Sequence, residues 1–288
     1  MPASTFSLVA CDAERGEWGV GVASRFLAVG ALSAWARPEV GAIATQSWIK
    51  ASYGPEGLEL LARGTSAPEA LERLLAQDDG REKRQVGIVD GQGRTATYTG
   101  SACLGWAGDR TGASYAAQGN MLVSEATLAA LAAAFEASSG SPLAERLLAA
   151  LRAGQDAGGD RRGQQAAALR VVRRGGGYLG ADIAVDLRVD DHARPIDELA
   201  RLYGLHQLYF GSTPLEEWLV VDRACRGELG ERLARLGYAS GDLAADLDTW
   251  AGVENLEERV RGIERIDPVV LGELRRQDES EVADGRRA

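Results

Sequence analysis

Residues 5–10 and 18–24 read TFSLVA and WGVGVAS, and the polar turn DAERG at residues 12–16 separates them. Apolar and polar side chains alternate in these stretches and turn-forming residues lie between them, which is typical of a β-hairpin. Two further short apolar runs, Val29–Trp35 and Val40–Thr45, flank Arg37-Pro38-Glu39. This spacing predicts two more strands joined by a turn, so the chain opens with four expected strands.

Pairs of helices and pairs of strands alternate after this region. Ser66 followed by Glu69 is a capping box for a helix over Ala67–Ala76, and Asp90-Gly91-Gln92-Gly93 is a hairpin signal. The other expected elements are helices over Gly57–Arg63, Glu125–Ala137 and from Pro142 to about Gln155, and strands over Gln85–Val89, Arg94–Thr99, Ala113–Gln118, Ala166–Arg173 and Ile183–Val189. This order predicts an α+β sandwich with two sheets inside and helices outside.

A domain boundary is expected at Gly211-Ser212-Thr213-Pro214, after a helix over Ala193–Phe210. Residues 1–211 are expected to form the sandwich domain, and residues 212–288 a small α-helical domain. Its expected short helices are Glu216–Arg226, Glu231–Leu236, Leu243–Trp250 and Leu256–Glu264, packed around Trp218, Leu233, Leu236, Leu247 and Trp250. The polar end from Gln277 to Ala288 is expected to fray.

Charge and hydropathy exclude two kinds of partner. The formal net charge of -10 argues against a nucleic-acid groove, because neutralising phosphates requires clustered Lys and Arg. No apolar run reaches the roughly 20 residues that span a bilayer, and Met1-Pro2-Ala3-Ser4 lacks the features of a signal peptide. We therefore expect a cytoplasmic protein with no nucleic-acid or membrane partner.

Cysteine and lysine are both scarce. Cys11, Cys103 and Cys225 are an odd number at wide spacings, which favours buried thiols over a disulfide framework or a zinc site. Only Lys50 and Lys83 are lysines among the 32 basic residues, so arginine must carry most cationic roles.

Several short motifs spread from Thr5 to Gly211 are specific in combination. They are TFSLVA (5–10), VASRF (22–26), ATQS (44–47), YGP (53–55), QGNML (118–122), GGDRRG (158–163) and DLRVDDH (186–192). Together they resemble the domain-of-unknown-function 1028 (DUF1028) family, which is grouped with the N-terminal-nucleophile (Ntn) hydrolases. The resemblance implies a four-layer αββα fold, in agreement with the order of elements, and it implies no particular substrate.

The end of the chain carries a second resemblance. Residues 233–238 (LARLGY) and 250–259 (WAGVENLEER) are similar to the peptidoglycan-binding-like tail of some family members.

The resemblance makes Thr5 the candidate nucleophile, since it begins the first core strand. An N-terminal threonine needs no histidine, because its own α-amine, with an ordinary pKa of about 7.7–8.0, serves as general base. Met1–Ser4 precede Thr5 here, so a free amine requires cleavage after Ser4 or a translation start nearer to Thr5. The alternative is that Thr5 is a strand residue whose peptide bond stays intact.

Arg25, Ser24 and Gln46 are candidate neighbours of Thr5. Arg25 ends the second expected strand and would place a positive charge beside the nucleophile, although a surface salt bridge is the commoner role of an arginine. Ser24 and Gln46 would hydrogen-bond the nucleophile or the substrate, or else satisfy turns at strand ends.

Two further motifs contain candidate site residues. Gln118 and Asn120 are expected to follow a strand and to form an oxyanion hole with backbone N–H groups, the alternative being an Asx-type turn. Asp160 and Arg162 lie in a glycine-rich loop. Arg162 is a candidate clamp for a substrate carboxylate, and its alternative is an internal pair with Asp160.

Other motifs fail on context, so no metal and no cofactor are expected. Gly175, Gly177 and Gly180 match a dinucleotide-binding pattern, but a strand rather than a helix follows them, so they predict a hairpin loop. Asp190 and Asp191, with His192, adjoin an expected helix start, where acidic residues favour the helix dipole.

Two functions of different classes remain. The leading hypothesis is hydrolysis of an amide-type bond in a small-molecule substrate, with Thr5 as nucleophile and Asn120 at the oxyanion. The alternative is a non-catalytic metabolite-binding protein with a helical interaction tail, since fold alone does not choose between them. The tail is also a candidate contact of a homo-oligomer.

Overall fold

The computed structural model describes residues 5–283 of the chain, with side chains described through Glu279. The chain forms two compact units, the first ending at Tyr203 and the second beginning at Gly204. Helices make up 42% and strands 27% of the chain, and all sheet pairings are antiparallel, which places the protein in the expected α+β class.

Two antiparallel sheets lie in the first unit. The strands are β1 (Thr5–Asp12), β2 (Glu17–Ser24), β3 (Ala34–Arg37), β4 (Gly41–Ser47), β5 (Arg84–Asp90), β6 (Thr95–Thr99), β7 (Trp106–Gly112), β8 (Tyr115–Leu122), β9 (Ala166–Val172) and β10 (Ile183–Val189). The six-stranded sheet has the order β10-β9-β2-β1-β8-β7, and the four-stranded sheet has the order β3-β4-β5-β6. The hairpin expected at the start of the chain is β1–β2, in the middle of the larger sheet.

Helices cover the outer face of each sheet. Apart from α1 (Val29–Ser33), whose Val29 lies in the core between the sheets, they are α2 (Tyr53–Ala62), α3 (Ala67–Ala76), α4 (Ala126–Ala137), α5 (Leu143–Asp156) and α6 (Pro195–Phe210). Helices α2 and α3 share a buried core with Ile43 and Ile88 of the smaller sheet, whereas α4 and α5 pack on Phe6 and Leu8 of the larger sheet. The four layers are therefore helices, sheet, sheet and helices, as expected.

Alternation along β1 divides its side chains between two layers. Phe6 and Leu8 face α4 and α5, while Val9 lies in a third core between the two sheets. Because side chains alternate with a period of two, Thr5 and Ser7 belong to the same inter-sheet face as Val9. The side chains of Thr5 and Ser7 therefore face the space between the two sheets.

One short apolar run was wrongly expected to be a strand. Residues 29–33 form helix α1, and strand β3 begins only at Ala34. Ala28 has a left-handed φ of 51°, which turns the chain out of the extended conformation, and a Cβ on Gly30 would lie 2.3 Å from the Ala168 side chain. Short apolar runs do not distinguish a buried helix from a strand by periodicity.

The second unit is built around Trp250, which is buried. Its elements are a two-stranded sheet of β11 (Leu219–Val220) and β12 (Arg265–Ile266) and helices α7 (Arg223–Arg235), α8 (Leu243–Val253) and α9 (Pro268–Ala283). The helix expected over Leu256–Glu264 is instead a short 3-10 turn, Glu257–Arg259, and β12 follows it. The helix expected over Glu216–Arg226 is interrupted by β11.

The segment from Gln277 was expected to fray, but α9 continues to Ala283. Gln277 accepts a hydrogen bond from Trp250 Nε1 at 3.0 Å, and Asp278 accepts bonds from Arg232 and Arg235. These bonds secure the helix where its composition is polar. The rest of that expectation, residues 284–288, lies outside the described residues.

The first unit ends earlier than residue 211. Leu208 packs into the core of the second unit, and Arg259 donates hydrogen bonds to the carbonyls of Gln207 and Leu208. Tyr203, in contrast, is buried in the core of the first unit. No helix within residues 5–283 is long and apolar enough to cross a membrane.

We expect a fragment of residues 1–211 to fold on its own, because the three cores of the first unit are complete within it. It should unfold in urea in one cooperative transition. A fragment ending at Arg194 removes Ile196, Leu199 and Tyr203 from the core, and we expect it to aggregate or to lose several kcal/mol of stability. Equal stability of the two fragments would contradict this assignment of α6.

Candidate active site

Thr5 lies where the strands of the larger sheet end, at the first residue of β1. Two other residues singled out from the sequence lie beside it. It pairs with Ser24 at the end of β2 on one side and with Asn120 of β8 on the other. Thr5 Oγ1 donates a hydrogen bond to Ser24 Oγ at 3.2 Å, and all three side chains are buried. The sheet register therefore places Thr5, Ser24 and Asn120 together.

Gln46 of β4 connects the second sheet to this end of the larger sheet. Its Nε2 donates to the backbone carbonyl of Thr5 at 3.3 Å and to that of Gln118 at 3.2 Å. Its Oε1 accepts a hydrogen bond from Ser7 Oγ at 2.7 Å, and Ser7 in turn accepts from Gln118 Nε2 at 2.5 Å. Gln46 and Gln118 are thus joined to β1 in a single buried network.

Gln85 of β5 is the centre of this network, although it was not among the expected site residues. Its Oε1 accepts hydrogen bonds from Gln46 Nε2 and Asn120 Nδ2, both at 2.9 Å. Its Nε2 donates to the carbonyl of Gly119 at 2.8 Å and to that of Gly108 at 3.0 Å. Gln85 is fully buried, so every one of these groups depends on the others for its partners.

A signal for Gln85 exists in the sequence. Val86 and Ile88 pack under the helices, so Gln85 and Val89 must face the other sheet. A glutamine at an inward position of an otherwise apolar strand predicts a buried polar contact.

The backbone carbonyls fix which way the amide side chains point. A carbonyl oxygen only accepts, so the Gln85 and Gln46 atoms that face carbonyls must be Nε2. Gln85 Oε1 then faces Asn120, and Asn120 must present Nδ2 to it. We refer to Ser7, Gln46, Gln85, Gln118 and Asn120 as the amide network.

The placement of Gln118 and Asn120 differs from the expectation. They lie inside β8, which pairs with β1 and β7, and do not follow a strand. The placement after a strand, and the alternative Asx-type turn, were therefore wrong, while the oxyanion role of an amide side chain stays a prediction. The strand is longer than expected because its polar residues satisfy one another within the amide network. Edge strand β7 was not expected at all, and each of its residues is half-buried or exposed.

Asp160 ties the glycine-rich loop to the same end of the sheet. It is buried and accepts hydrogen bonds from the backbone N–H groups of Arg25 and Arg162, both at 2.9 Å. Arg162 Nη2 also lies 3.0 Å from Asp160 Oδ2. The internal pair is therefore present, and it occupies the Arg162 guanidinium that was a candidate clamp for a substrate carboxylate.

A cleft of about 570 Å³ opens beside this loop. Arg25, which directly follows Ser24, lines it together with Arg161, Gln155, Gln165 and His192. Arg25 Nη1 donates to the carbonyl of Arg162 at 3.3 Å. The predicted residues thus form two groups at one end of the sheet, a buried one around Thr5 and a solvent-facing one around Arg25.

Comparison with known proteins follows the division into two units. A family model described as a family of unknown function, DUF1028, matches residues 5–199. The chain belongs to this family. A model of a putative peptidoglycan binding domain matches residues 215–274. The crystal structure of a DUF1028 protein from Silicibacter pomeroyi is 34% identical, with a TM-score of 0.65, and the match covers 71% of this chain and 86% of that one. A comparison with curated proteins found no match.

A buried ionic cluster in the DUF1028 region lies next to the amide network. Asp78 accepts hydrogen bonds from Tyr53 Oη and Arg84 Nε, both at 2.8 Å, and from the backbone N–H of Gly80 at 2.9 Å. Lys50 Nζ lies 3.7 Å away. The bonds from Arg84 and Tyr53 hold the pKa of the Asp78 carboxyl well below its ordinary value.

This cluster is joined to the network through the strands. Arg84 pairs with Ser47 in the ladder of β4 and β5, and the next pair along the ladder is Gln46 with Gln85. Arg84 Nη1 also donates to the carbonyl of Trp48 at 2.8 Å. The ends of β4 and β5 are therefore fixed where they carry the two glutamines.

The cysteines of this protein are free thiols. Burial, and then the nearby carboxylates of Asp12 and Asp90, raise the pKa of Cys11 to about 11, and burial also raises the pKa of Cys103 and Cys225. A thiol with a raised pKa carries little thiolate at neutral pH, and thiolate is the nucleophilic form. This favours Thr5 over a cysteine as nucleophile.

Two acidic residues of the DLRVDDH motif (186–192) have partners of their own. Asp186 lies 3.3 Å from Arg170, and Asp191 Oδ1 accepts from Gln165 Nε2 at 3.0 Å. Among the side chains of residues 5–279, no group of three or more His, Cys, Asp or Glu is arranged to hold a metal ion.

Proposed function

We propose that the DUF1028 region is an Ntn hydrolase that cleaves an amide-type bond in a small molecule, with Thr5 as nucleophile. One observation carries the proposal: Thr5 begins the central strand β1, and its hydroxyl is bonded to Ser24 beside the amide network. A threonine that merely filled the core would not need the four amide side chains of the network oriented around the start of its strand. Three free thiols are consistent with a reducing compartment, the cytoplasm.

The proposed reaction has two steps. The α-amine of a chain beginning at Thr5 takes the Oγ1 proton as Oγ1 bonds to the substrate carbonyl carbon. The same proton passes to the leaving nitrogen, the C–N bond breaks, and an amine departs. Water then attacks the resulting ester, and its proton returns Thr5 to the hydroxyl form while the acid is released.

Asn120 and Arg25 have assigned roles in this reaction. We assign the negative oxygen of the tetrahedral intermediate to Asn120 Nδ2, which Gln85 orients. Arg25 lies next to Ser24 and so places a positive charge near the α-amine. A nearby positive charge favours the neutral, basic form of an amine.

The mechanism requires cleavage before Thr5. A nitrogen in a peptide bond has no basic lone pair, and Thr5 has no exposed surface in the uncut chain. We therefore expect the uncut chain to be inactive.

The test compares the uncut chain with protein that starts at Thr5, made from a Met-Thr5 start, on a panel of amides and ureides. We expect turnover only from the protein that starts at Thr5, and we expect Thr5→Ala to lower kcat by about 10³-fold or more. Thr5→Ser is the matched control, since it keeps a hydroxyl and an α-amine. Intact-mass measurement of protein from its own host shows whether residues 1–4 are removed.

Two results would count against the enzyme. Full activity in protein that retains residues 1–4 would exclude the α-amine as base. Binding of small amides without turnover, unchanged by Thr5→Ala, would support the second candidate, a metabolite-binding protein. The buried position of Thr5 in the uncut chain favours that candidate if no cleavage occurs.

A further inference from the structure

The cleft beside Arg25 contains two cations without an ionic partner. Arg25 and Arg161 line it, and neither has a carboxylate within salt-bridge distance among the side chains of residues 5–279. Most arginines in the described chain do pair with Asp or Glu, and the whole chain carries a net charge of -10. Two guanidinium groups without a salt bridge therefore line one concave site, where they are available to an anionic ligand.

The loop that carries Arg161 is held in one conformation. The backbone N–H of Arg161 donates to the carbonyl of Met121 at 3.0 Å, and Val123 N–H donates to the carbonyl of Gly159 at 3.1 Å. Gly158 and Gly163, with φ of 121° and 104°, adopt a conformation that favours glycine. The Arg161 guanidinium therefore extends from a fixed backbone, which lowers the entropy that is lost when a ligand binds.

Local carboxylates do not cancel the charge of this cleft. Asp160 lines it but is buried and bonded to Arg162, and Asp191 accepts from Gln165. The charge of Asp160 balances that of Arg162, and the charge of Asp191 balances one of the two remaining arginines. The charged groups named here therefore leave an excess of one positive charge.

The position of Gly163 leaves room for Arg25. A Cβ on Gly163 would lie 3.2 Å from Arg25 Nη1, which is closer than a side chain normally approaches. The carbonyl of Arg162 accepts from the same Nη1 and orients the group. Arg25 thus reaches the cleft from the strand end that carries Ser24, the hydrogen-bond partner of Thr5.

We propose that this cleft binds a carboxylate of the substrate through Arg161 and Arg25, so that the substrate class is a small amide or ureide with a free carboxylate. A guanidinium fork matches a carboxylate in geometry and charge. The assignment rests on the proposed function only for the identity of the bound molecule as substrate. Recognition of the carboxylate is independent of hydrolysis.

Binding to full-length Thr5→Ala protein tests the proposal without turnover. The probes are four acids, succinamate, glutaramate, N-acetylglycine and N-carbamoylglycine, each compared with its neutral amide by titration calorimetry. We expect at least one acid to bind about tenfold or more tightly than its neutral amide, because a charged group strengthens each hydrogen bond. The preference should weaken as salt is raised.

Substitution identifies the group that is responsible. In the same protein we expect Arg161→Gln to remove most of the preference for the acid and Arg161→Lys to keep part of it. Arg226→Gln is the control, because Arg226 is an exposed arginine of α7 outside the cleft. Equal effects of the two glutamine variants, or no preference for any acid, would overturn the proposal.

The outcome is separable from that of the proposed function. Selective binding of acids with no turnover by the protein that starts at Thr5 supports the cleft and refutes the hydrolase. Turnover of neutral amides, unaffected by Arg161→Gln, supports the hydrolase and refutes the carboxylate site.

Discussion

Replacing Gln85 with methionine is expected to lower the free energy of unfolding by about 3–5 kcal/mol, although the two side chains have similar volumes. Methionine offers no donor to the carbonyls of Gly108 and Gly119, and it removes the acceptor shared by Gln46 and Asn120. Each buried polar group that loses its partner costs about 1–3 kcal/mol. The measurement is urea unfolding of the full chain.

Gln77→Met is the matched control for this substitution. Gln77 directly follows α3 and is exposed, so we expect its effect to stay within about 0.5 kcal/mol. In protein that starts at Thr5, Gln85→Met should also lower kcat by about 10²-fold, because Asn120 would lose the bond that orients it. A Gln85→Met protein as stable as the Gln77→Met protein would show that the amide network adds nothing to folding.

A comparable loss, about 3–5 kcal/mol, is expected for Asp78→Asn at neutral pH. The substitution keeps the shape of the side chain but leaves the Arg84 guanidinium, which is largely buried, without its negative partner. Asp79→Asn is the matched control, since the neighbouring Asp79 is exposed. If both variants have the same urea midpoint, the ion pair is not a major source of stability.

The effect of Asp78→Asn should depend on pH in a defined direction. The folded-state pKa of Asp78 is lowered, chiefly by the hydrogen bond from Arg84, whereas the unfolded value is about 3.9. A lowered pKa contributes stability that is fully present above the unfolded value and is lost as pH falls towards the folded value. The difference between the original and Asp78→Asn proteins should therefore be constant from pH 7 to pH 5 and shrink below about pH 4. A difference that grows in acid would contradict the ion pair as its cause.

The layered fold was predictable because local signals agreed with one another. The helix at Ala67–Ala76 lies where its capping box predicted, and the Ser66 side chain accepts the expected bond from the Glu69 N–H. The alternation of β1 and β2 specified a hairpin with one face towards helices. The prediction of a strand at residues 29–33 was wrong because their helix depends on contact with β9. A local sequence pattern holds no information about that contact.

The sequence was enough to choose candidate residues for the site, but it did not show the hydrogen bonds that join them. Sequence motifs identified Gln46 and Asn120 as candidates, yet the residue that connects them, Gln85, lies in an expected strand from which no site residue was chosen. The choice between Arg162 and Arg161 also depends on three-dimensional structure. Arg162 is the one of the two adjacent arginines that pairs with Asp160, and the sequence shows only that both are present.

The amide network has a consequence for how the two sheets recognise each other. Elsewhere their interface is apolar, with Val9, Val20 and Trp18 packed among alanines, and apolar contacts carry no directional preference of their own. Directional hydrogen bonds tolerate one alignment of the sheets, because a shift along the strands would leave buried amides unmatched. The network therefore sets the position of one sheet relative to the other. The same hydrogen bonds align the two sheets and assemble the site around Thr5. A molecule with misaligned sheets therefore cannot carry a completed site.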